Sequence, residues 1–236
     1  MKTKKEEVDK FLLKYAKEYH TKEFIKSDPI QFPHRYLRKQ DIEISGFVTS
    51  FLSFGSRPLI IKAAESVDVL FSKAPLEYVK GEKWREDFIG NETFYRTISK
   101  GRMRELFEWL HMIYTTNESM EDAIQTLEGT PMERLCTLFG VTSNAPQKKV
   151  NMFLRWMIRK DSEVDFGIWK SFSQQDLLIP LDTHVSQIAC QIGLTKSKSY
   201  SLSNARTITK ELNIVFPGDP CLGDFALFGF GVNEQN

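Results

Sequence analysis

The fold of this chain is decided by P-Q-K-K-V-N-M-F-L-R-W-M-I-R-K (residues 146–160) and I-P-L-D-T-H-V-S-Q-I-A-C (residues 179–190). In both segments apolar residues recur at intervals of three and four, which predicts two helices that each bury one face. Asp182 is the expected N-cap of the second helix, because its carboxylate accepts hydrogen bonds from the free N–H groups of a first turn. Lys148 and Lys149 lie in the first turn of the first helix. The two segments therefore place a lysine pair and an aspartate at two helix starts.

The remainder of the chain is also predicted to be helical. Apolar periodicity indicates helices over residues 6–19 and 103–114. Capping residues and prolines indicate further helix starts, near Asp41, Pro58, Ser119 and Thr130. Pro29 and Pro33 exclude a regular helix from the segment around them. Strict two-residue alternation bounded by turn signals is absent from the sequence, so the predicted class is all-α.

The expected organisation is a single globular unit over residues 1–236. No long linker divides the chain, so any lobes are interwoven. The candidate lobes are about residues 100–195 and about residues 1–99 plus 196–236.

Charge balance and cysteine spacing exclude several protein classes. The chain has 32 Lys and Arg against 31 Asp and Glu, so any affinity for nucleic acid must come from a local basic face. Cys136, Cys190 and Cys221 lie far apart and form no C-x-x-C pair, which argues against a disulfide framework, a structural zinc site and an iron–sulfur cluster. The chain start lacks a signal-peptide core, and no long apolar run occurs. We expect a cytoplasmic monomer without cofactor, metal or membrane contact.

Lys148, Lys149 and Asp182 each have a structural and a chemical interpretation. A first-turn lysine is ordinarily solvated, and an N-cap aspartate needs no further role. The positive end of the helix macrodipole, however, favours a neutral amine, which is the form that attacks a sugar or carbonyl carbon. A carboxylate held at a helix N-terminus stays ionised and can stabilise positive charge or accept a proton. The residues alone leave both interpretations open.

The L-D-T-H-V block around Asp182 resembles the aspartate motif of the helix-hairpin-helix (HhH-GPD) DNA glycosylase superfamily. The chain also resembles the bacterial family DUF2400 over nearly its whole length. This second resemblance rests on P-H-R-Y (33–36), D-I-E-I-S-G-F (41–47), the two segments quoted first, and D-F-A-L-F-G-F-G (224–231). The interval between the lysines and the aspartate is similar to that of the archaeal 8-oxoguanine glycosylase group.

The superfamily resemblance implies two interwoven helical lobes and a DNA glycosylase with AP lyase activity on an oxidised purine such as 8-oxoguanine. The implied nucleophile is Lys148 or Lys149, with Lys148 preferred, and Asp182 assists. The implied partner is damaged duplex DNA, from which the target base is flipped. Phe228 and Trp156 are candidates for stacking on that base.

The superfamily's Gly-rich hairpin turn is replaced here by F-G-V-T-S-N-A-P-Q-K-K (139–149), with a single glycine, Gly140. Other residues are therefore needed to hold DNA phosphates. The candidates are polar or basic side chains near the two motifs, namely Ser143, Asn144, Gln147, Arg155, Arg159 and His184. Arg155 and Arg159 are expected on the side of their helix opposite the apolar face. Two short basic runs, at residues 100–104 and 196–198, are further candidates for phosphate contacts.

Two other functions remain compatible with the sequence. One is a non-catalytic helical module that binds nucleic acid or protein on a glycosylase-like fold. The other is a small-molecule enzyme that forms a Schiff base through the lysine. The distance between the lysine and Asp182 discriminates among them, because catalysis requires the two groups to lie within hydrogen-bond reach or one water apart.

Overall fold

The computed structural model describes residues 4–233. The protein is all-α: most of the described residues lie in helices, and two short strands occur among them. The α-helices are, in chain order, α1 (Lys4–Tyr19), α2 (Lys22–Ser27), α3 (Lys39–Leu52), α4 (Arg57–Phe71), α5 (Pro75–Lys80), α6 (Trp84–Asp87), α7 (Lys100–Thr116), α8 (Met120–Gln125), α9 (Pro131–Leu138), α10 (Lys148–Ile158), α11 (Thr183–Gln191), α12 (Leu202–Val215) and α13 (Leu222–Asn233). Strands β1 (Thr93–Tyr95) and β2 (Ile98–Ser99) form a short antiparallel hairpin between α6 and α7.

The predicted helix starts at Ser119, Thr130 and Asp182 are confirmed by their capping bonds. The Ser119 hydroxyl accepts from the Asp122 N–H at 3.2 Å. Thr130 and Glu133 form a capping box, in which each side chain accepts from the other residue's N–H. The segment with Pro29 and Pro33 forms two turns of 3₁₀ helix in place of an α-helix.

Residues 4–233 form two compact units. Unit 1 combines the N-terminal segment up to Phe24 with the chain from Glu128 onward, and unit 2 is Ile25–Leu127. The unit boundaries follow Phe24 and Leu127, whereas the lobes expected from the sequence were divided near residues 100 and 195. Among the described helices, none is long and apolar enough to cross a membrane.

The core of unit 1 packs α13 against α1, α11 and α12. Its buried apolar residues come from both ends of the chain: Leu12, Ala16, Ile179, Leu181, Val185, Ile188, Ala189, Leu194, Ala205, Ile208, Leu212, Phe216, Ala226 and Leu227. The packing is close at glycines of α13. A Cβ on Gly229 would lie 2.1 Å from the Tyr19 ring, and one on Gly231 would lie 2.1 Å from Nε2 of His184. The G-F-G pattern at the end of α13 therefore lets this helix approach α1 and α11.

The core of unit 2 contains two acidic residues of α3 that act as structural acceptors. The buried Glu43 carboxylate accepts from the Tyr114 hydroxyl at 2.8 Å and from the Met120 N–H at 3.0 Å. Asp41 accepts from the Leu76 N–H at 2.8 Å. Buried carboxylates must be paired or hydrogen-bonded. Here their partners lie on α5, α7 and α8, so the two carboxylates connect α3 with these helices.

Candidate functional site

The starts of α10 and α11 meet within unit 1. Lys148 Nζ lies 2.9 Å from Asp182 Oδ2, which is an ion pair with hydrogen-bond geometry. About a third of each side chain is exposed, 32% for Lys148 and 34% for Asp182. The pair is therefore held by the fold and is accessible to a molecule from solution.

The Asp182 carboxylate is fixed by its capping bond as well as by Lys148. Its Oδ1 atom accepts from the Val185 N–H at 2.8 Å, so the two oxygens have separate partners. Burial acts to raise the pKa of Asp182, but the Lys148 ammonium, the Val185 N–H and nearby His184 outweigh it and lower the pKa below its ordinary value. Asp182 is consequently ionised at neutral pH.

Arg155 and Arg159 lie inside unit 1. The sequence places them on the side of α10 away from its apolar face, but their side chains are only 6% and 2% exposed. The chain after α10 folds back over that side: Phe166 N–H donates to Trp156 O at 2.8 Å, and Trp169 N–H donates to Met157 O at 2.9 Å. The expectation that Arg155 and Arg159 contact DNA phosphates is therefore not supported, because both side chains are buried.

Both guanidinium groups belong to a buried ionic network. Arg155 bonds to Asp165 at 3.2 Å and also to Asp224, and Arg159 bonds to the other oxygen of Asp165 at 2.9 Å. Arg159 further forms a two-oxygen contact with Asp219, at 2.8 Å from Nη2 to Oδ2 and 2.9 Å from Nε to Oδ1. Alternating charges compensate each other here, as buried charges require.

His20 and Phe225 complete this network. His20 Nε2 lies 2.7 Å from Ser162 Oγ and 3.0 Å from Arg159 Nη1. Burial, and then the positive charge of Arg159, lower the pKa of His20, which favours the neutral imidazole. The Arg155 and Arg159 guanidinium carbons lie 4.5 and 5.5 Å from the centre of the Phe225 ring.

Asp224 connects the network to the lysine–aspartate pair. Burial raises the pKa of Asp224 to about 6 although Arg155 opposes the shift, and both Asp182 and Lys148 are close enough to influence it. Asp224 lies at the start of α13, in the D-F-A-L-F-G-F-G block. That block carries the family resemblance, but no role for its aspartate follows from the sequence. The pairing of Asp224 with Arg155, far apart in sequence, was not visible in any local pattern.

The segment before α10 forms an ordered turn. Gln147 is the N-cap of α10 with a left-handed φ of 46°, a conformation that is uncommon for residues other than glycine. Its side-chain amide donates to Thr142 O, and the Asn144 N–H donates to Thr142 Oγ1 at 3.2 Å. Asn144 is exposed and Ser143 is half-buried. Polar groups of this turn therefore lie just before Lys148, although no glycine is next to the lysines.

The two aromatic candidates differ in accessibility. Trp156 is 0% exposed, and its buried indole N–H has no hydrogen-bond partner among the described residues. A residue so enclosed has no face for a base in this conformation. Phe228 is half-buried and contacts the Phe24 ring at 5.4 Å and the Tyr19 ring at 6.5 Å, edge to face in both cases. Phe228 is therefore the candidate with accessible surface.

The protein is all-α, and its partly exposed lysine–aspartate pair lies where the starts of α10 and α11 meet. A buried ionic network holds α10 in place beside this pair. The chain belongs to the family described as "Protein of unknown function (DUF2400)", whose sequence model matches residues 28–233. Comparisons with curated proteins and with solved structures give no match.

Proposed function

We propose that this protein is a DNA base-excision glycosylase with associated AP lyase activity, acting on an oxidised purine such as 8-oxoguanine. The observation that carries the proposal is the 2.9 Å contact between Lys148 Nζ and Asp182 Oδ2, in which both groups remain about a third exposed. A Schiff-base enzyme needs an amine and a carboxylate within proton-transfer distance of each other and of the reacting carbon. The proposal includes a glycosylase-type arrangement of the helices, of the HhH-GPD kind, and a cytoplasmic location.

Lys148 acts as the nucleophile in this proposal. Its neutral amine attacks C1′ of the flipped nucleotide, the N-glycosidic bond breaks, and the base leaves with the bonding electrons and takes up a proton. The new C1′ ammonium loses a proton, its nitrogen lone pair breaks the C1′–O4′ bond, and O4′ takes up a proton, which gives a protonated Schiff base. Removal of a C2′ proton expels the 3′ phosphate by β-elimination, and water releases the lysine.

Asp182 has two tasks in the same sequence of steps. In the free protein it pairs with the Lys148 ammonium, so it fixes the position of Nζ for attack. Its lowered pKa keeps it anionic, which stabilises the positive charge that develops at C1′ as the base departs. Exclusion of water by a bound nucleotide strengthens both effects.

Several residues near the pair are proposed to contact the DNA. Asn144, Ser143 and Gln147 lie on the turn before α10, where side-chain and backbone donors can meet a phosphate. Phe228 is the proposed stacking residue. Arg155 and Arg159 are outside this surface, because their guanidinium groups are used in buried ion pairs and act by holding α10 in place.

Borohydride trapping tests the proposal. Wild type and the variants Lys148→Gln, Lys149→Gln and Asp182→Asn are incubated with labelled duplexes that carry 8-oxoguanine, an abasic site or no lesion. We expect a covalent adduct with damaged duplexes only, its loss in Lys148→Gln, its retention in Lys149→Gln, and formation about 100-fold slower or more in Asp182→Asn. An adduct that persists in Lys148→Gln would reject Lys148 as the nucleophile.

The second candidate function is a helical module that binds nucleic acid or protein without catalysis. It is favoured by the capping bond from Val185 N–H to Asp182, since a purely structural aspartate makes the same contact. Wild-type protein that stays folded and forms no adduct on any duplex would support this module and exclude the lyase.

A further inference from the structure

The segment between α11 and α12, together with the exposed face of α12, concentrates positive charge in unit 1. Residues 195–210 contain four basic side chains and no acidic one. These side chains are Lys196, Lys198, Arg206 and Lys210, and all four residues are exposed. Arg206 Nη2 also lies 3.7 Å from Glu133 Oε1, but the three lysines leave an excess of positive charge, and in a chain that is nearly neutral this makes a local basic face of the kind that phosphate binding requires. We refer to these four residues, with the hydroxyl groups between them, as the basic surface.

Hydroxyl groups line the basic surface together with the cations. A cleft of about 680 Å³ is bordered by Lys196, Ser197, Ser199, Ser201, Ser203, Asn204, Thr207 and neighbouring residues, with Glu211 at one side. A second cleft of about 390 Å³ shares Ser203 and Thr207 with the first and adds Arg206 and Lys210. Lysine, arginine, serine and threonine side chains make most of the contacts that proteins form with the sugar–phosphate backbone.

The loop of the basic surface is held rigidly by one buried side chain. Asn204, which is 4% exposed, donates through Nδ2 to Ser199 O at 2.9 Å and to Ser197 O at 3.2 Å. Its Oδ1 accepts from the Thr195 hydroxyl at 2.7 Å. The positions of Lys196 and Lys198 are thus fixed through their neighbours, which lowers the entropic cost of binding a ligand.

This loop runs back along α11 toward the lysine–aspartate pair. The Ser186 hydroxyl of α11 donates to Ser199 O at 3.3 Å. Ser186 lies one helical turn after Asp182, and the whole of α11 is about 13 Å long. One strand of DNA advances about 3.4 Å per nucleotide, so the loop at Ser199, which is bonded to Ser186 one helical turn after Asp182, lies a few nucleotides from a base placed at Asp182.

We propose that the basic surface binds the sugar–phosphate backbone of duplex DNA beside the nucleotide that enters the Lys148–Asp182 site. This inference rests on the proposed function for the position of the lesion, but the backbone contact itself requires no chemistry. Because the contact is with phosphates, it is independent of sequence and of damage. It supplies affinity for undamaged duplex and fixes the register of the strand relative to Lys148.

The test is the salt dependence of binding to an undamaged duplex. The variant Lys196→Gln/Lys198→Gln/Lys210→Gln removes three charges from the basic surface. The matched control Lys14→Gln/Lys17→Gln/Lys22→Gln removes three exposed charges from α1 and α2, so both proteins have the same net charge. We expect the slope of log Kobs against log salt to become shallower by about 1 to 3 in the first variant and to stay at the wild-type value in the control.

Three results would overturn the inference: equal loss of slope in both variants, wild-type slope in both, or no salt-dependent duplex binding by wild type. Borohydride trapping at low salt separates this inference from the proposed function. If wild type forms the adduct but the surface variant keeps the wild-type salt slope, the lyase proposal stands and the role of the basic surface is rejected. If wild type forms no adduct but the salt slope becomes shallower only in the surface variant, the lyase is rejected and a DNA-binding module remains.

Discussion

Replacing Asp224 by asparagine is expected to change how stability depends on pH. Burial of this carboxyl raises its pKa from 3.8 to about 6. The unfolded chain therefore releases the proton from about pH 3.8 upward, whereas the folded protein keeps it until about pH 6. Stability that is present below pH 3.8 is lost as the pH rises through this window. One tenfold step in acidity corresponds to about 1.4 kcal/mol, so the loss amounts to about 3 kcal/mol.

Urea denaturation of wild type and Asp224→Asn between pH 3.5 and pH 7.5 measures this loss. The asparagine variant has nearly the same shape but cannot ionise, so the difference between the two free energies of unfolding isolates Asp224 from the other titrating groups. We expect wild type to lose about 3 kcal/mol relative to the variant between about pH 4 and pH 7, and the difference to be level above that. Parallel curves over the whole range would refute the argument that burial outweighs Arg155 at this carboxyl.

Other expected outcomes concern stability and packing, each measured by urea denaturation. Arg159→Met removes the cation paired with Asp219 and leaves the buried Asp165 with Arg155 as its cation, which should cost about 3 to 5 kcal/mol; a cost under about 1 kcal/mol would mean that the network rearranges freely. Asn204→Ala removes the donor to Ser197 O and Ser199 O and the acceptor of the buried Thr195 hydroxyl, and it should cost about 1 to 3 kcal/mol, with Ser203→Ala as the exposed control. Gly229→Ala places a methyl group against the Tyr19 ring and should cost about 1 to 3 kcal/mol, and an unchanged midpoint would contradict the close approach of α13 to α1.

The helices with strong local signals could be predicted from the sequence. The caps at Ser119, Thr130 and Asp182 depend on residues within one turn, so their pattern is visible locally. The hairpin of β1 and β2 was not predicted, because strands of three and two residues are too short to show alternation. The helix α12 was also not assigned, since its start lies within a run of serines that reads as loop.

The residues of the candidate site could be predicted from the sequence, but the contacts around them could not. Helix starts at Lys148 and Asp182 follow from local patterns, but their 2.9 Å contact depends on how α10 and α11 pack. Arg155 was expected on the side of α10 opposite its apolar face, because helical periodicity separates an apolar face from a polar one. Periodicity cannot reveal that Asp165 and Asp224 are brought to that polar face by a later loop and a later helix.

Unit 1 is made from segments that the ribosome produces at different times. The helix α1 is synthesised early, but its partner α13 is synthesised after all of unit 2, which can fold first because domains generally fold as units during synthesis. Until α13 leaves the ribosome, the apolar face of α1, with Leu12 and Ala16, lacks the helix that covers it. Apolar surface that is uncovered during synthesis is prone to aggregation, and the arrival of α13 both covers this face and brings Asp224 to Arg155.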